Sequence, residues 1–370
     1  MSHTIVKRDE AAMMNELSGI LLNQADRLFA AHVDRAVLAE ADGGAWPAAL
    51  WSAVEDAGFP AALVPAAAEG VGFGHSEVMQ LIRRSAYHAV PLPLAETMIA
   101  GALWAEASGE MAEGVLTLAP ANGSDRLGIA PSGEGHVLSG TARRVPWGLQ
   151  ADHVLAFARD DAGTAFLALI PAEALVADVQ KRRNVANEPR DTLRLDGIAL
   201  PAACVRPAPA GLGADGLLLH GAAIRTQQMV GGMERALDHA LSYANERVQF
   251  GRAIGKFQAV QHMLAEAAGQ YATATATADA LAESFGSEHF AFWVAVSKAR
   301  VGEAVGLVAA TCHQIHAAMG FTQEHPLHYA TRRLWSWRDE FGSDAFWQQR
   351  LGDAACAAGG EALWPMLVRS

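Results

Sequence analysis

The hydrophobic period of this chain changes twice. Up to about residue 110, segments such as "EAAMMNELSGILLNQADRLFAAHV" and "SEVMQLIRRSAYHAV" place apolar residues three and four apart, which predicts helices. Short apolar or alternating runs follow, including "VLTLAP", "HVLAFARD" and "TAFLALIPA", separated by Gly, Asp, Asn and Pro, as is typical of strands and turns. After the Pro/Gly-rich "RPAPAGLGADG", long helical periodicity returns. The sequence therefore predicts the order helices, then strands, then helices.

This order predicts an α+β multidomain protein. We place an N-terminal helical domain at residues 1–112, a middle domain of antiparallel strands at 113–207, and a C-terminal four-helix bundle at 208–370. The bundle helices are predicted at about 215–248, 256–285, 288–318, and from 326 onward. The chain has 370 residues, of which 51% are hydrophobic, so it can bury a large core.

Charge and cysteine content exclude several classes of function. Lys and Arg number 28 against 40 Asp and Glu, and the net charge of -12 argues against nucleic acid as a partner. The sequence shows neither a signal-like N-terminus nor a run of about 18 apolar residues, so we expect a cytoplasmic protein without a membrane partner. The scattered Cys204, Cys312 and Cys356 fit neither a disulfide framework nor a metal site, and we expect reduced thiols.

One polar stretch interrupts the alanine-rich C-terminal region. In "YANERVQFGRAIGKFQAVQH", residues 243–262, a helix that ends near Gln249 is broken at Gly251, and a second helix begins around Lys256. The break leaves Arg247 at a helix end, where a guanidinium can make paired hydrogen bonds to a phosphate or a carboxylate. A helical hairpin with solvated charges is the alternative that the residues alone leave open.

This stretch strongly resembles the C-terminal domain of the acyl-CoA dehydrogenase family, in which a Tyr-x-x-x-Arg-x-Gln-Phe-Gly segment precedes a Phe-Gln-x-x-Gln helix. A second matching segment, "QIHAAMGFTQEHPLHYATRR", follows at the expected distance. With the helix–strand–helix order, the resemblance covers nearly the whole chain. It implies an acyl-CoA dehydrogenase-like fold, a dimer or tetramer with FAD at a subunit interface, removal of two hydrogens from Cα and Cβ of an acyl-CoA, and an electron-transferring flavoprotein as acceptor.

The resemblance also implies which residues bind FAD. Arg247 would bind the FAD pyrophosphate of the neighbouring subunit, with Gln249 and Phe250 close by. The full set that the resemblance implies is Arg247, Gln249, Phe250, Gln314, Ala318 and Ser343. Ala318 stands where the family usually has the second glycine of a Gly-Gly pair.

The flavin contacts that each subunit of the family supplies to its own FAD are largely replaced. The family's Leu-Thr-Glu-Pro-x-x-Gly-Ser-Asp segment corresponds to "TLAPANGSD", with Leu118 and Ala119 at the Thr and Glu positions. In "GTARRVPWG", Arg144 stands at the position of a flavin-packing tryptophan and Pro146 at that of a hydroxyl residue. Proline supplies neither a hydroxyl nor an N–H.

The sequence assigns no catalytic residue. The usual glutamate base of the family corresponds to Phe341, with Glu340 one residue earlier as a weak substitute. An alternative base position, on the preceding helix, maps near His220 and Gly221. On that same helix, Arg225 could partly replace a substrate-binding arginine of the family.

Paired histidines in "HQIH" and "HPLH" share helix faces, but the family motif already accounts for them and we expect no metal.

The leading hypothesis is a subunit of a hetero-oligomeric acyl-CoA dehydrogenase whose homologous partner supplies the base. The first alternative is a self-sufficient homo-oligomeric enzyme that uses an atypical base such as Glu340. The second is a non-enzymatic protein that binds flavin or a CoA thioester. In such assemblies the family oxidises fatty acid or steroid side-chain thioesters, and the sequence does not identify the acyl group.

Overall fold

The computed structural model describes residues 2–175, 179–213 and 215–369, with side chains for the residues between 17 and 365 in these ranges. The first part of the chain is helical, as predicted. Its helices are α1 Ser2–His32, α2 Arg35–Gly43, α3 Ala48–Asp56, α4 His75–Tyr87 and α5 Leu94–Ser108. Helix α5 ends before Gly109, which adopts a left-handed conformation with a φ of 77°.

The middle of the chain forms one large sheet. Its strands are β1 Leu116–Ala119, β2 Leu127–Ser132, β3 Gly135–Pro146, β4 His153–Arg159, β5 Ala165–Pro171, β6 Val179–Gln180, β7 Arg190–Arg194, β8 Ile198–Pro201 and β9 Val205–Pro207. The main path of the sheet runs β6-β7-β3-β2-β4-β5-β9, with β1 added beside β4 and β8 beside β3.

The sheet is mixed, so the prediction of a purely antiparallel domain was wrong in part. Strand β1 runs parallel to β4, with Leu116 opposite His153, and β2 meets β4 in a short parallel contact. A parallel pair needs a crossover connection, and the β2–β3 hairpin lies in the segment that joins β1 to β4. Alternation along a strand reveals which face is buried but not the direction of its neighbour. The boundaries at residues 112 and 207 stay predictions.

The last part of the chain is again helical. It contains α6 Leu217–Glu246, the short strands β10 Val248–Gln249 and β11 Arg252–Ala253, then α7 Gln258–Glu283, α8 Phe290–His316, α9 Leu327–Asp339, α10 Asp344–Ala358 and α11 Gly360–Arg369. Helix α6 is buried on all sides over its first half and packs against α4, α7, α8 and α9.

The segment predicted as one helix from residue 326 onward is three helices. Phe341 and Gly342 have φ values of 53° and 93°, and an α-helix cannot continue through this left-handed conformation. The ammonium of Lys298, in α8, donates hydrogen bonds to the backbone carbonyls of Trp337, Arg338 and Gly342 at 2.7 to 3.1 Å. Lys298 therefore satisfies the carbonyls that the end of α9 leaves open, and it fixes the turn that follows.

Candidate functional site

A cleft of about 520 Å³ lies where the sheet meets the C-terminal helices. Its walls are the loop of residues 121–124 after β1, Arg144 on β3, Leu218 at the start of α6, the turn of residues 339–343, and Phe346 on α10. The volume lies within the range of small-molecule sites, roughly 300 to 1,000 Å³. This cleft contains the segments in which the sequence departs from the family pattern.

The sheet wall of the cleft is built around the buried Asp125. Its carboxylate accepts hydrogen bonds from the backbone N–H and the guanidinium of Arg143, at 2.7 and 3.0 Å. This contact anchors an irregularity in β3, where Arg144 has a φ of 59°. The side chain of Arg144 is exposed in the cleft and makes no ion pair with another described residue. A guanidinium therefore occupies the wall where the family pattern has tryptophan.

The neighbouring positions offer no hydroxyl to a ligand. Pro146 is buried, and its carbonyl accepts a hydrogen bond from the Thr117 hydroxyl at 2.5 Å. Leu118 and Ala119 are fully buried in the hydrophobic core.

The two base positions inferred from the sequence are in contact with each other at Phe341, which lines the cleft. Phe341 is 2% exposed, and its ring packs directly against Gly221 of α6, so closely that a methyl group on Gly221 would overlap the ring. Neither position carries a carboxylate. Where the family places a proton acceptor, this chain has an aromatic ring seated on a glycine.

We expect Gly221→Ala to destabilise the protein by about 1 to 3 kcal/mol, because the new methyl overpacks against the Phe341 ring. In a Phe341→Ala background the same change should cost nothing. Gly269→Ala is the matched control, since that glycine lies inside α7 with no atom within 4 Å of an added methyl. Urea unfolding of the single and double variants measures the coupling, and equal costs in both backgrounds would contradict this packing.

Glu340, the substitute base considered from the sequence, is a member of a buried ion chain. Six side chains of alternating charge are linked by ion pairs of 2.6 to 3.0 Å. In order they are Glu96, Arg225, Glu340, Arg190, Glu188 and Arg333. These six linked side chains join α5, α6, the residues before and in β7, and α9. They therefore connect the three parts of the molecule.

Both carboxylate oxygens of Glu340 are occupied by donors. One oxygen accepts from Arg190 and Asn184 at 2.6 and 3.0 Å, and the other accepts from Arg225 and Arg190 at 2.6 and 3.0 Å. Burial alone would raise the pKa of Glu340, but Arg190 and Arg225 outweigh it and lower the pKa to about 2. A carboxylate so stabilised is a poor proton acceptor, and the geometry weighs against Glu340 as a base.

The lowered pKa of Glu340 gives a pH-dependent stability. The group contributes stability in full above its usual pKa of 4.5, and that contribution is lost as the pH falls toward the folded pKa of about 2. We expect the free energy of unfolding of the wild type to fall more steeply between pH 4.5 and 2 than that of Glu340→Gln. Parallel curves for the two proteins would contradict the ion chain.

Arg225 is unavailable to a substrate, so the suggestion that it replaces a substrate-binding arginine was wrong. It is 0% exposed, and its guanidinium donates to Glu96 at 2.7 Å, to Gln228 at 2.5 Å and to Glu340. The Arg225 guanidinium, which the family resemblance suggested as a substrate contact, instead forms ion pairs inside the core.

His220 lies in an aromatic environment. Its ring contacts Phe285 and Phe290, with ring centroids 6.0 and 5.3 Å apart. Burial lowers the pKa of His220 to about 4, so the imidazole is neutral at physiological pH. The ring packs as an apolar group, and this placement favours a structural role.

The predicted phosphate-binding stretch forms a hairpin at the end of α6. Strands β10 and β11 pair antiparallel around Phe250 and Gly251, both at positive φ. Phe250 is 92% exposed, although a large aromatic residue in this backbone conformation is unusual. Arg247 and Gln249 are also exposed, and the guanidinium of Arg247 makes no ion pair within the described part of the chain. The hairpin therefore exposes an aromatic ring and a guanidinium that has no ion-pair partner among the described residues.

The two segments that carry the family resemblance meet at one end of the helical bundle. Tyr243, one turn before Arg247, stacks on His316 with ring centroids 4.6 Å apart, and His316 follows Gln314 by two residues in α8. Gln314 and Ala318 are exposed, and the nearby Phe321 is 76% exposed.

Ser343 lies apart from this group. It lines the cleft, and its hydroxyl caps α10 by accepting a hydrogen bond from the Phe346 N–H at 3.3 Å. The predicted cofactor residues therefore divide between two places: the exposed hairpin end and the cleft. Their roles toward FAD stay predictions.

Two further findings bear on the expectations from sequence. Among the described residues, no group of three or more His, Cys, Asp or Glu side chains has an arrangement that could hold a metal ion. Within the same residues, no helix combines the length and hydropathy of a membrane span.

Comparison with known proteins agrees with the fold and the motifs. The family model for the acyl-CoA dehydrogenase C-terminal domain matches residues 214–350. The chain is similar to acyl-CoA dehydrogenase FadE27 of Mycobacterium tuberculosis, with 29% identity over 325 residues that cover 75% of this chain and 80% of the relative.

Two solved structures are also similar. The ChsE4-ChsE5 complex of Mycobacterium tuberculosis matches with 25% identity and a TM-score of 0.84, covering 93% of this chain and 98% of the matched chain. The Tcur3481-Tcur3483 steroid ACAD matches with 25% identity and a TM-score of 0.82, covering 94% of this chain and 100% of the other. In its motifs, its fold and these comparisons, the chain is similar to acyl-CoA dehydrogenases.

Proposed function

We propose that this chain is a subunit of an FAD-dependent acyl-CoA dehydrogenase, an oxidoreductase acting on CH–CH groups, and that it lacks the catalytic base. It works in a hetero-oligomer, a dimer or a tetramer, with a homologous subunit that carries the base. The observation that carries the proposal is the Phe341 ring seated on Gly221, because it removes both family positions for a proton acceptor at once.

The fit of this chain to FAD differs between the two places. The exposed hairpin fits a dinucleotide: Arg247 has no ion-pair partner among the described residues, Gly251 opens the turn, and the ring of Phe250 is uncovered. The cleft does not fit the flavin edge, since Pro146 offers no donor and Arg144 replaces a flat aromatic wall. These features support a chain that lends Arg247, Gln249, Phe250, Gln314 and Ala318 to a partner's FAD.

In this assignment, the bound FAD would accept the hydride that leaves Cβ of the acyl group. Arg247 would hold its diphosphate by charge-assisted hydrogen bonds, and Gln314 and Ala318 would contact its nucleotide end. The proton on Cα leaves to a carboxylate of the homologous subunit, because Phe341 can accept none.

The comparisons support the heteromeric arrangement. Of the two similar structures, one is the ChsE4-ChsE5 complex and the other is a variant of the Tcur3481-Tcur3483 steroid ACAD. We therefore place bulky acyl-CoA thioesters, steroid side chains included, among the substrates to be tested first. An electron-transferring flavoprotein is the proposed acceptor, and the cytoplasm the proposed location.

Flavin bleaching by an acyl-CoA tests whether this chain supplies the base. In the assembled complex, Glu340→Gln and His220→Gln in this chain should leave the rate of bleaching per bound FAD nearly unchanged, since neither side chain faces the reaction as a free base. Removal of a true general base slows a reaction by roughly a hundredfold or more. A loss of that size, in a variant whose circular dichroism and assembly match the wild type, would favour the self-sufficient alternative.

A further inference from the structure

The cleft between the sheet and the C-terminal helices is spacious although it lacks a base. Its volume of about 520 Å³ holds about seventeen water molecules at roughly 30 Å³ each, enough for a small organic molecule. Phe341 can accept no proton and Pro146 offers no donor to a flavin, so neither residue suits dehydrogenation. The other side chains of the cleft define a ligand of a different class.

One wall of the cleft presents the guanidinium of Arg144. Asp125 holds the preceding residue, Arg143, at its backbone N–H and its guanidinium, and Arg144 follows with a φ of 59°. This conformation is unfavourable for a long side chain, and strained residues of this kind cluster at ligand sites. The guanidinium is exposed in the cleft and has no ion-pair or hydrogen-bond partner in the described part of the chain.

The turn between α9 and α10 presents a carboxylate to the same cleft. Asp339 is exposed and makes no ion pair, either with Arg144 or with another residue that the structure describes. Its cationic neighbours are engaged elsewhere: Arg338 is paired with Asp344 at 2.6 Å, and Lys298 donates to three backbone carbonyls. The cleft therefore offers one cation and one anion to a ligand.

The remaining walls add an apolar surface and no competing charge. Glu340 also lines the cleft, but its two oxygens are occupied by its arginine and asparagine partners. The ring of Phe346 is 39% exposed and lies in the cleft wall together with Leu218. An apolar group that covers this ring gains the hydrophobic stabilisation that the exposed ring lacks.

We infer that this cleft binds a small zwitterion of the class of the apolar α-amino acids. The carboxylate of the ligand pairs with the guanidinium of Arg144, its ammonium with the carboxylate of Asp339, and its side chain packs against Phe346. A few charged groups that fix the orientation of a largely apolar ligand are typical of small-molecule sites. The inference goes beyond the proposed function and does not require it, because every group that it uses belongs to this chain.

Calorimetric titration of the full chain with L-phenylalanine and two analogues tests the site. The analogues are 3-phenylpropanoate, which lacks the ammonium, and phenethylamine, which lacks the carboxylate. Wild type should bind L-phenylalanine more tightly than either analogue. Arg144→Gln should weaken L-phenylalanine by roughly tenfold or more and leave phenethylamine unchanged, because only the carboxylate contact is lost. Asp339→Asn should weaken L-phenylalanine similarly without weakening 3-phenylpropanoate.

Arg206→Gln is the matched control, since Arg206 on β9 does not line the cleft and donates only to backbone carbonyls. Equal weakening in Arg144→Gln and Arg206→Gln would show a general effect of charge and overturn the site. Binding of 3-phenylpropanoate as tight as that of L-phenylalanine would make the cleft a simple anion site and remove Asp339. If the wild type binds neither L-phenylalanine nor L-leucine, the inference fails, whereas the proposed function is tested separately by flavin content.

Discussion

Replacing Glu340 with alanine is expected to cost about 3 to 5 kcal/mol in the free energy of unfolding, the usual effect of removing one partner from a buried ion pair. The carboxylate is 8% exposed and accepts hydrogen bonds from Arg190 and Arg225. Its loss leaves two guanidiniums buried beside each other without the charge that separates them. The change should therefore weaken the contact between the sheet and α6 rather than a surface loop.

Asp339→Ala is the control for this experiment. Asp339 is the preceding residue, lines the same cleft and is exposed, and it makes no ion pair with another described side chain. We expect its removal to change stability by less than about 1 kcal/mol. Urea unfolding followed by tryptophan fluorescence measures both variants, because Trp337 donates to Glu188 of the ion chain. Equal effects of the two substitutions would contradict the network.

Replacing Arg247 with alanine is expected to remove FAD from the assembled complex. A hydrogen bond to a charged group contributes about 1.5 to 3 kcal/mol. Loss of the guanidinium should therefore weaken the binding of FAD by roughly tenfold to a hundredfold. Stability should not change, since Arg247 is exposed and makes no ion pair with the described residues. Equilibrium dialysis of FAD against the wild-type and variant complexes gives the ratio of dissociation constants.

Arg252→Ala distinguishes a specific contact from a general effect of charge on this hairpin. Arg252 is also exposed, but its guanidinium lies over the Phe257 ring at 4.2 Å and thus packs within this chain. We expect FAD binding to persist in Arg252→Ala. If both variants lose FAD to the same extent, positive charge rather than the Arg247 guanidinium holds the cofactor.

The parts of the fold that follow local rules could be predicted. Helices and strands follow the hydrophobic period, and the interruption between α6 and α7 follows from the polar, glycine-containing segment there. The pairing of β10 with β11 inside that interruption was not predicted. The break after α9 could not be predicted, because Phe341 is not a helix breaker by type. It takes a positive φ in a turn whose carbonyls are held by Lys298, more than forty residues earlier in the sequence.

The candidate site was harder to predict, for the same reason. Sequence comparison located the two base positions but not their contact, and it gave Glu340 and Arg225 roles at the reaction that their ion pairs rule against. Glu96 and Arg225 are separated by 129 residues, so no local pattern pairs them. Lys298 is one residue whose role could have been suspected from the sequence. It is a charged residue within the strongly apolar "FAFWVAVSKARVGEAVGLVAA", which indicates that its side chain is buried and paired but not which groups it contacts.

The flavin content of the purified protein tests the central claim most directly. We expect this chain to lack FAD when expressed alone and to carry it when co-expressed and co-purified with the homologous subunit, in an amount that depends on Arg247. Absence of flavin from both preparations would favour a non-enzymatic binding protein. A chain that purifies alone with FAD, and whose flavin is bleached by an acyl-CoA, would contradict the claim that it needs a partner to complete the site.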